Sequence, residues 1–316
     1  MYHKSATKIF AILFLFILIL IPIAALYTYI SKPAFITREE VCSVPGITKP
    51  YKIIFISDTH ISLCDERDAS LSDKSASRYN AARSKEGIGA DKTFHSLMTY
   101  VKKEQPDLLI LGGDIIDSAM YASIDFVEKE LKSTGIPYLF TMGNHDFEYG
   151  DEYFTPEAYS TYLPRLHSLR NTDTDYQILE TEEFVILSVD DKGSQVSAEA
   201  LEALLSLKAG NKPILVVTHV PIEPIGNEDL CMLTKQVWGE DSAGNSKVLM
   251  GYGACIPNET TTDFINEVCA DDSPVFCVLA GHIHFYHKDT LGPQTTQIIA
   301  GAGYEGELIN LTLIPQ

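Results

Sequence analysis

The sequence has few basic residues, no closely spaced pair of cysteines and no internal repeat or low-complexity tract. Its 24 lysines and arginines stand against 43 aspartates and glutamates, which gives the chain of 316 residues a net charge of −19. This balance argues against a nucleic-acid-binding protein, because such a protein needs a basic surface. None of the six cysteines forms a C-x-x-C motif, which leaves a zinc ribbon or a thioredoxin-type site without support. An anionic substrate would need local attraction, which bound metal ions can supply.

Charged residues are also absent from the N-terminal segment 9–30, which is almost entirely apolar. About 20 such residues cross a bilayer as a helix, and a helix in a soluble core would carry the polar face that this segment lacks. We therefore expect residues 1–8 to form a cytoplasmic tail, residues 9–30 to be an uncleaved transmembrane signal anchor in the cell membrane, and the following domain to be extracytoplasmic. The alternative is a cleaved signal peptide, for which Ala24 and Ala25 offer small residues near a cleavage site.

The rest of the chain divides into a predicted linker, residues 31–50, and one domain, residues 51–316. Short apolar runs alternate in this domain with segments whose apolar residues recur at helical spacing, within 92–104, 124–131 and 197–208. Continuous apolar runs are typical of strands that are covered on both faces, so the pattern predicts an α/β layered fold. The predicted strands are residues 52–56, 107–111, 137–142, 184–189, 213–217 and 274–279.

Two long stretches interrupt this alternation, residues 61–91 and residues 222–262. Loops of such length in a compact domain are usually functional or disordered, and we expect residues 222–262 to form an insertion or lid that borders a functional site. Cys231 and Cys255 both lie in this insertion, and we expect them to pair as a disulfide, since export would permit disulfides. Cys277 lies within an apolar run and is expected to be a buried thiol.

Polar side chains follow five of the predicted strands at the point where each strand ends. Ligands of open α/β sheets bind at the carboxyl ends of the strands, so these segments are expected to lie close together. They are Asp58-Thr59-His60, Gly112-Gly113-Asp114, Gly143-Asn144-His145-Asp146, Thr218-His219-Val220-Pro221 and Gly281-His282-Ile283-His284.

Each of these segments, taken alone, has an ordinary structural explanation. The segment from Gly143 to Asp146 could be a turn, since Gly, Asn and Asp are common turn residues. A single histidine such as His219 is more often a core residue than a ligand. The pair His282 and His284 is harder to explain in this way, because alternate side chains of an extended segment point to the same side. Five such segments at five strand ends predict a metal site.

The types of side chain indicate which metals the site would bind. The set contains imidazole, carboxylate and amide groups but no thiolate, which suits Mn, Fe or Zn. It also contains more ligands than one tetrahedral ion accepts. We therefore expect two divalent metal ions, with Mn favoured and Fe, Zn or Ni as alternatives. Two such ions form a template for the hydrolysis of phosphate esters.

In this order, the motifs D-x-H, G-G-D, G-N-H-D, T-H-x-P and G-H-x-H resemble those of the calcineurin-like metallophosphoesterase family. The resemblance spans Asp58 to His284 and implies a four-layer β-sandwich of two mixed sheets flanked by helices, here preceded by the transmembrane helix. It also implies direct attack of a metal-bound hydroxide without a covalent intermediate. The implied ligands are Asp58, His60 and His284 for one ion and Asn144, His219 and His282 for the other, with Asp114 bridging the two.

The resemblance assigns a different role to the remaining polar residues of the third motif. His145 would stay free of metal and contact the phosphate or protonate the leaving alcohol, and Asp146 would orient it through a hydrogen bond. The purple acid phosphatase branch carries a tyrosine where this sequence has Asp117, so a tyrosinate-bound ferric ion is not expected. Arg78 and Arg83 could contact phosphate, although a position on a helix face or on the solvated surface is favoured for both.

These observations predict a membrane-anchored enzyme that hydrolyses a phosphodiester or a phosphomonoester outside the cytoplasm, with the diester slightly favoured. Its partners would be a phosphate-ester substrate and, through residues 9–30, the membrane; no nucleic-acid partner is expected. The first alternative is a non-catalytic binding scaffold with the same fold, which would be expected to lack some ligands or His145. The second is a structural zinc protein, which would hold one four-coordinate ion.

Overall fold

The computed structural model of the chain describes residues 35–147, 155–170, 172–191, 193–210, 212–239, 249–250 and 257–316. Within these residues, no helix is long and apolar enough to cross a membrane. The predicted cytoplasmic tail 1–8 and the predicted signal anchor 9–30 lie outside them, and so does Cys255. The anchor and the pairing of Cys231 with Cys255 therefore stay predictions.

One sheet, which we call sheet I, has five strands in the order β1-β11-β2-β3-β4. They are β1 (Ile36–Val44), β2 (Tyr51–Ile56), β3 (Leu108–Gly112), β4 (Tyr138–Thr141) and β11 (Glu307–Pro315). Strands β2, β3 and β4 are parallel, whereas β11 runs antiparallel to β2 and parallel to the edge strand β1. The sheet is therefore mixed.

The second sheet, sheet II, has six strands in the order β5-β6-β7-β8-β10-β9. They are β5 (Tyr176–Glu180), β6 (Val185–Val189), β7 (Ile214–Val217), β8 (Val275–Ala280), β9 (His287–Thr290) and β10 (Thr296–Ile299). The four central strands are parallel, and the edge strands β5 and β9 are antiparallel to their neighbours. Sheet II is also mixed.

The helices of the described residues lie mostly between strands of the same sheet. They are α1 (Ser72–Ala81), α2 (Ala90–Glu104), α3 (Tyr121–Thr134), α4 (Asn144–Phe147), α5 (Pro156–Tyr162), α6 (His167–Arg170), α7 (Ala198–Lys208), α8 (Asp229–Trp238) and α9 (Glu259–Cys269). Short 3-10 turns occupy Glu66–Leu71, Leu163–Leu166 and Gly303–Glu305. The six predicted strands are found as β2, β3, β4, β6, β7 and β8, and the three predicted helices as α2, α3 and α7.

Three clusters of buried apolar side chains arrange these elements in four layers. Along β2, Ile53 and Phe55 pack between the sheets against residues of sheet II. The alternate residues Ile54 and Ile56 pack on the other face, against α2 and α3. The outer face of sheet II packs in the same way against α7 and α9. The predicted α/β fold, with two mixed sheets flanked by helices, is thereby confirmed.

Part of the predicted linker 31–50 is a strand, which corrects the sequence analysis. Residues Ile36–Val44 form β1 and pair with β11 along the whole strand. Cys42 and Val44 are buried between the sheets, whereas Val41 is exposed. The sequence does not reveal this strand because Thr, Arg, Glu and Ser interrupt its apolar residues, so that no apolar run forms.

The two long stretches predicted as loops also contain helices. The first, 61–91, includes the 3-10 turn Glu66–Leu71 and α1, and the second, 222–262, includes α8 and the beginning of α9. Helix α1 has almost no apolar residues, so its sequence carries no helical periodicity. Cys277 is a buried thiol, as predicted.

Candidate metal centre

The predicted ligands meet at one end of the two sheets, where β2, β3, β4, β7 and β8 finish. Within sheet I, the backbone N–H of Asp58 donates to the carbonyl of Gly113 over 3.0 Å. Within sheet II, the N–H of Gly281 donates to the carbonyl of His219 over 2.9 Å. The N–H of His282 donates to the Asp58 carboxylate over 2.9 Å and thus joins the two sheets. Residues that are far apart along the chain therefore form one site.

The first cluster consists of Asp58, His60 and His284, whose candidate ligand atoms all lie within 4.8 Å of one another. His284 Nε2 lies 3.3 Å from Asp58 Oδ1 and 3.1 Å from His60 Nε2. Asp58 and His60 are buried, whereas the His284 side chain is 31% exposed. One carboxylate and two imidazoles at this spacing can hold one ion, and they are the set that the resemblance implies.

The second cluster consists of Asp114, His219 and His282. His219 Nε2 lies 3.0 Å from Asp114 Oδ2 and 3.2 Å from His282 Nδ1. The other ring nitrogen of His219, Nδ1, lies 2.9 Å from the carbonyl of Gly112. A proton on Nδ1 that donates to this carbonyl leaves Nε2 as the ligand atom, which is the usual arrangement of a metal-binding histidine.

Asp114 belongs to the second cluster and also faces the first. Its Oδ2 atom is 3.0 Å from His219 Nε2 and 3.9 Å from His60 Nε2, so that one carboxylate oxygen faces a ligand of each cluster. Burial raises the pKa of Asp114, but the charges of His219 and His145 outweigh this effect and hold the pKa well below its ordinary value. Asp114 is therefore an anion at the place where a bridging ligand would be needed.

Five of the predicted ligands have the left-handed backbone conformation that residues with a Cβ rarely adopt. The φ angles are 56° at Asp58, 49° at His60, 52° at Asp114, 70° at His282 and 58° at His284. Such a conformation costs roughly 1–3 kcal/mol and occurs mainly at functional sites. Its concentration here indicates that the loops are shaped to place these side chains.

Asn144 supplies the observation that tests whether these residues fit metal ions. Its Oδ1 atom is buried and finds no hydrogen-bond partner among the residues that the structure describes, which costs free energy unless a cation satisfies it. The segment lies against the second cluster, because the N–H of His145 donates to Asp114 Oδ1 over 2.7 Å. A Cβ at Gly143 would clash with Asp114, so only glycine fits there. The residues present therefore fit two divalent ions.

Asp146 does not orient His145, which corrects the predicted role. Both residues lie in α4, and adjacent side chains of a helix point in different directions. The Asp146 carboxylate instead shapes the loop that carries Asp114. It accepts four backbone hydrogen bonds of 2.7–2.9 Å, from Asp114, Ile115, Ile116 and Gly143.

Asp117 has the role that was predicted for Asp146, since it orients His145. Its Oδ1 atom lies 2.6 Å from His145 Nδ1 and 3.0 Å from His60 Nδ1, and the residue is fully buried. A bond to Nδ1 fixes the tautomer of each ring and leaves Nε2 toward the site. The only sequence signal for this role is a carboxylate three residues after Asp114.

His145 is held by Asp117 and faces the candidate metal pair, since its Nε2 atom lies 3.9 Å from Asp114 Oδ2. Burial lowers the pKa of His145, but the charges of Asp114 and Asp117 outweigh burial and raise it above its ordinary value. His60, Asp117 and His145 are also close enough to hold an ion. We attribute this third cluster to the hydrogen bonds of Asp117, which occupy both Nδ1 atoms.

Arg78 lies on a helix, which was one of its two favoured positions, and its side chain reaches the site. From α1, its Nε atom donates to Asp117 Oδ2 over 2.8 Å, and its side chain is only 23% exposed. Arg83 lies on the surface, as expected, where it donates to the carbonyl of Gly87. Arg78 therefore balances the charge of Asp117 and adds a cation to the rim of the site.

Two aromatic rings flank the more exposed ligand, His284, and the sequence gives no direct signal for either. The ring of Trp238, at the end of α8, lies 5.9 Å from the His284 ring. The ring of Tyr304, just before β11, has its centroid 5.5 Å from that of the His284 ring. Trp238 comes from the predicted insertion 222–262, so this insertion contributes a residue to the rim of the site.

A family model for calcineurin-like phosphoesterases matches residues 51–286, which are most of the chain. The chain belongs to the calcineurin-like phosphoesterase family. The match includes every predicted ligand, from Asp58 to His284, and it confirms the resemblance that the five motifs carry. Membership of this family implies a dinuclear metal site, and the two clusters provide the candidate ligands.

The fold of this calcineurin-like phosphoesterase recurs in solved structures of low sequence identity. A dimetal phosphatase from Danio rerio shares 13% identity at a TM-score of 0.51, covering 82% of this chain and 89% of that chain. A purple acid phosphatase from yellow lupin (Lupinus luteus) seeds shares 11% identity at a TM-score of 0.51, covering 84% of this chain and 46% of that chain. At these identities the similarity shows the fold alone. Among curated proteins, no sequence relative was found.

Proposed function

We propose that this calcineurin-like phosphoesterase hydrolyses a phosphate ester with two divalent metal ions. The observation that carries the proposal is the meeting of two ligand clusters at Asp114. In the part of the chain that the structure describes, Asn144 Oδ1 lies buried beside them without a partner. When bound, two such ions would bind the phosphoryl oxygens and activate a water for attack. Asp58, His60 and His284 would hold one ion, Asn144, His219 and His282 the other, and Asp114 both.

We assign proton transfer to His145. Its Nε2 atom lies 3.9 Å from Asp114 Oδ2 and so faces the candidate metal pair. From there it can donate a proton to the oxygen of the leaving alcohol, as a general acid does. Asp117 holds the ring through Nδ1 over 2.6 Å, and Arg78 neutralises the second oxygen of Asp117.

The proposed substrate is a phosphodiester or a phosphomonoester, with the diester slightly favoured, and the proposed ion is Mn, with Fe, Zn or Ni as alternatives. The donor set of imidazole, carboxylate and amide supports these metals. The net charge of −19 would repel an anionic substrate at long range. Cations bound at the site would counteract that repulsion where the substrate binds.

We also propose that the domain acts outside the cytoplasm and is anchored in the membrane by residues 9–30. The support is the length and the lack of charge of that segment. Protease added to intact cells should then digest the domain while a cytoplasmic marker survives. Protection of the domain until the cells are lysed would contradict this location.

The test of the proposed reaction is a substrate panel with p-nitrophenyl phosphate and bis-p-nitrophenyl phosphate, each assayed with added Mn, Fe, Zn or Ni. We expect metal-dependent release of nitrophenol, faster from the bis ester, and no release by Asp114→Ala. A protein that holds two ions and hydrolyses no ester would instead be a binding scaffold. One tightly bound ion per chain would indicate a structural zinc protein.

A further inference from the structure

Trp238 is the only tryptophan of the chain, and it lies at the C-terminal end of α8, where it reaches the metal centre. We propose that Trp238 is a positioning residue that holds the peptide between His282 and His284 and thereby tightens the binding of both metal ions. The proposal deepens the proposed function, since it concerns the same site. Its readout is metal affinity, which can be measured without any substrate.

The contact that carries the proposal is a hydrogen bond between α8 and the ligand loop. The indole N–H of Trp238 donates to the carbonyl of Ile283 over 3.0 Å. Ile283 is fully buried and lies directly between the two histidines. The indole ring also packs on both ligands, with centroid distances of 6.4 Å to the His282 ring and 5.9 Å to the His284 ring.

The ligand loop needs such a contact because its backbone is strained. His282 and His284 both have a left-handed conformation, with φ angles of 70° and 58°, which persists only where surrounding contacts enforce it. The N–H groups of Gly281 and His282 are bonded to other ligand residues, the His219 carbonyl and the Asp58 carboxylate. Trp238 adds a contact from outside the ligand set.

Helix α8 is itself anchored at its N-terminal end and along its buried face, so it can hold Trp238 in place. At its N-terminal end, the buried Glu223 carboxylate accepts the backbone N–H of Leu230 over 2.8 Å and that of Cys231 over 3.2 Å. Along its length, Leu230 and Cys231 belong to one apolar cluster with Ile283, and Leu233 packs against it. The insertion and the ligand loop thus share one core.

The proposal makes a specific prediction because the two histidines belong to different clusters. His284 belongs to the first cluster and His282 to the second. Loosening the peptide between them should therefore weaken both sites together. Contacts that orient metal ligands are worth about 10–100-fold in metal affinity, and we expect about tenfold for each site when the indole N–H is lost.

The experiment titrates metal-free protein with Mn²⁺ and, for a spectroscopic signature, with Co²⁺. Trp238→Phe keeps an aromatic ring but removes the donor, and we expect a roughly tenfold weaker affinity at both sites and a changed Co²⁺ absorption spectrum. Val237→Ala is the matched control, because Val237 is the preceding residue of α8 and is 54% exposed. It should bind both ions as the unmodified protein does.

A second control separates positioning from packing. Leu233→Ala removes apolar contact of α8 and should lower the melting temperature, yet it leaves the indole N–H in place. If Trp238→Phe binds both ions with unchanged affinity and spectrum, or weakens binding no more than Leu233→Ala, the proposal is overturned. If the unmodified protein binds two ions but hydrolyses no ester, the proposed function fails while the role of Trp238 in binding can still be measured.

Discussion

At the scale of single residues, two buried carboxylates next to His145 do different things. Asp117 contacts the imidazoles of His145 and His60 through their Nδ1 atoms. Asp146 contacts only backbone N–H groups in the hydrogen bonds described here, and it fixes the loop of Asp114. One carboxylate thus sets the direction of the rings, and the other sets the path of the chain.

The substitution His145→Ala tests the proton-transfer role. We expect turnover to fall by roughly 10²–10⁴-fold, because a general acid contributes about that much. The metal content should stay at that of the unmodified protein, since the resemblance places His145 outside the ligand set. Metal analysis and hydrolysis of p-nitrophenyl phosphate measure the two quantities on one sample. A parallel loss of metal and activity would show that His145 is a ligand.

The substitution Asp146→Asn tests the structural role of this carboxylate. An amide offers one acceptor atom in place of two, so at least one buried backbone N–H of the Asp114 loop should lose its hydrogen-bond acceptor. The free energy of unfolding of the metal-free protein should fall by roughly 1.5–3 kcal/mol, as measured in urea. Asp173→Asn is the control, because the Asp173 side chain is 89% exposed. Equal stability of the two variants would contradict the assigned role.

The sequence reveals the candidate ligands because each follows an apolar run directly, as Asp58 and His219 do. It does not reveal contacts that arise only when distant elements pack. Arg78 meets Asp117 from a polar helix, and Trp238 meets Ile283 across 45 positions of the chain. The predicted role of Asp146 was wrong for a local reason. Asp146 follows His145 directly in the sequence, but in a helix the side chains of adjacent residues point in different directions.

At the scale of elements, α8 depends on a buried acid. The carboxylate of Glu223 accepts the backbone N–H groups of Leu230 and Cys231 in the first turn of the helix. Burial raises the pKa of Glu223 to about 7, well above the value of about 4.3 in an unfolded chain. The folded protein therefore keeps a proton on Glu223 in a pH range where the unfolded chain has lost it.

This difference predicts that stability falls as the pH rises. Because the folded state binds more protons between pH 4.3 and about 7, the contribution of Glu223 is fully present below this range and is lost as the pH passes through 7. The variant Glu223→Gln keeps an acceptor but cannot ionise. The melting temperature of metal-free Glu223→Gln should therefore rise relative to that of the unmodified protein from pH 5 to pH 8. A constant difference would contradict the prediction.

Strands that form continuous apolar runs can be read from the sequence, whereas strands interrupted by polar residues cannot, and these include the interior strands β10 and β11. Strands β3 and β8 are buried along their whole length and form apolar runs. The edge strands β1 and β9 alternate polar with apolar residues or are mostly polar, so they carry no such run. These two strands are fixed by pairing with β11 and β10, respectively. Such pairing between distant segments leaves no signal in the local sequence pattern.

At the scale of the whole molecule, the boundary of the folded unit lies before β1. The compact unit begins at Phe35, and β1 buries Cys42 and Val44 between the sheets. A chain that starts at Phe35 should fold. A chain that starts at Pro45 would lack β1, so the edge of β11 would be exposed and the buried side chains of Cys42 and Val44 would be missing. We expect the shorter chain to be less stable by at least about 2 kcal/mol, the value of one fully buried apolar side chain. Equal unfolding midpoints in urea would contradict this boundary.

The four layers place the strand ends of both sheets side by side, and the central claim is that two metal ions bind there and are needed for hydrolysis. The most direct measurement adds Mn²⁺ stepwise to metal-free protein and records bound metal and hydrolysis of bis-p-nitrophenyl phosphate together. We predict two ions per chain, with activity that requires the second, and neither full binding nor activity in Asp114→Ala. Saturation at one ion per chain, or two bound ions without hydrolysis of any phosphate ester, would contradict the claim.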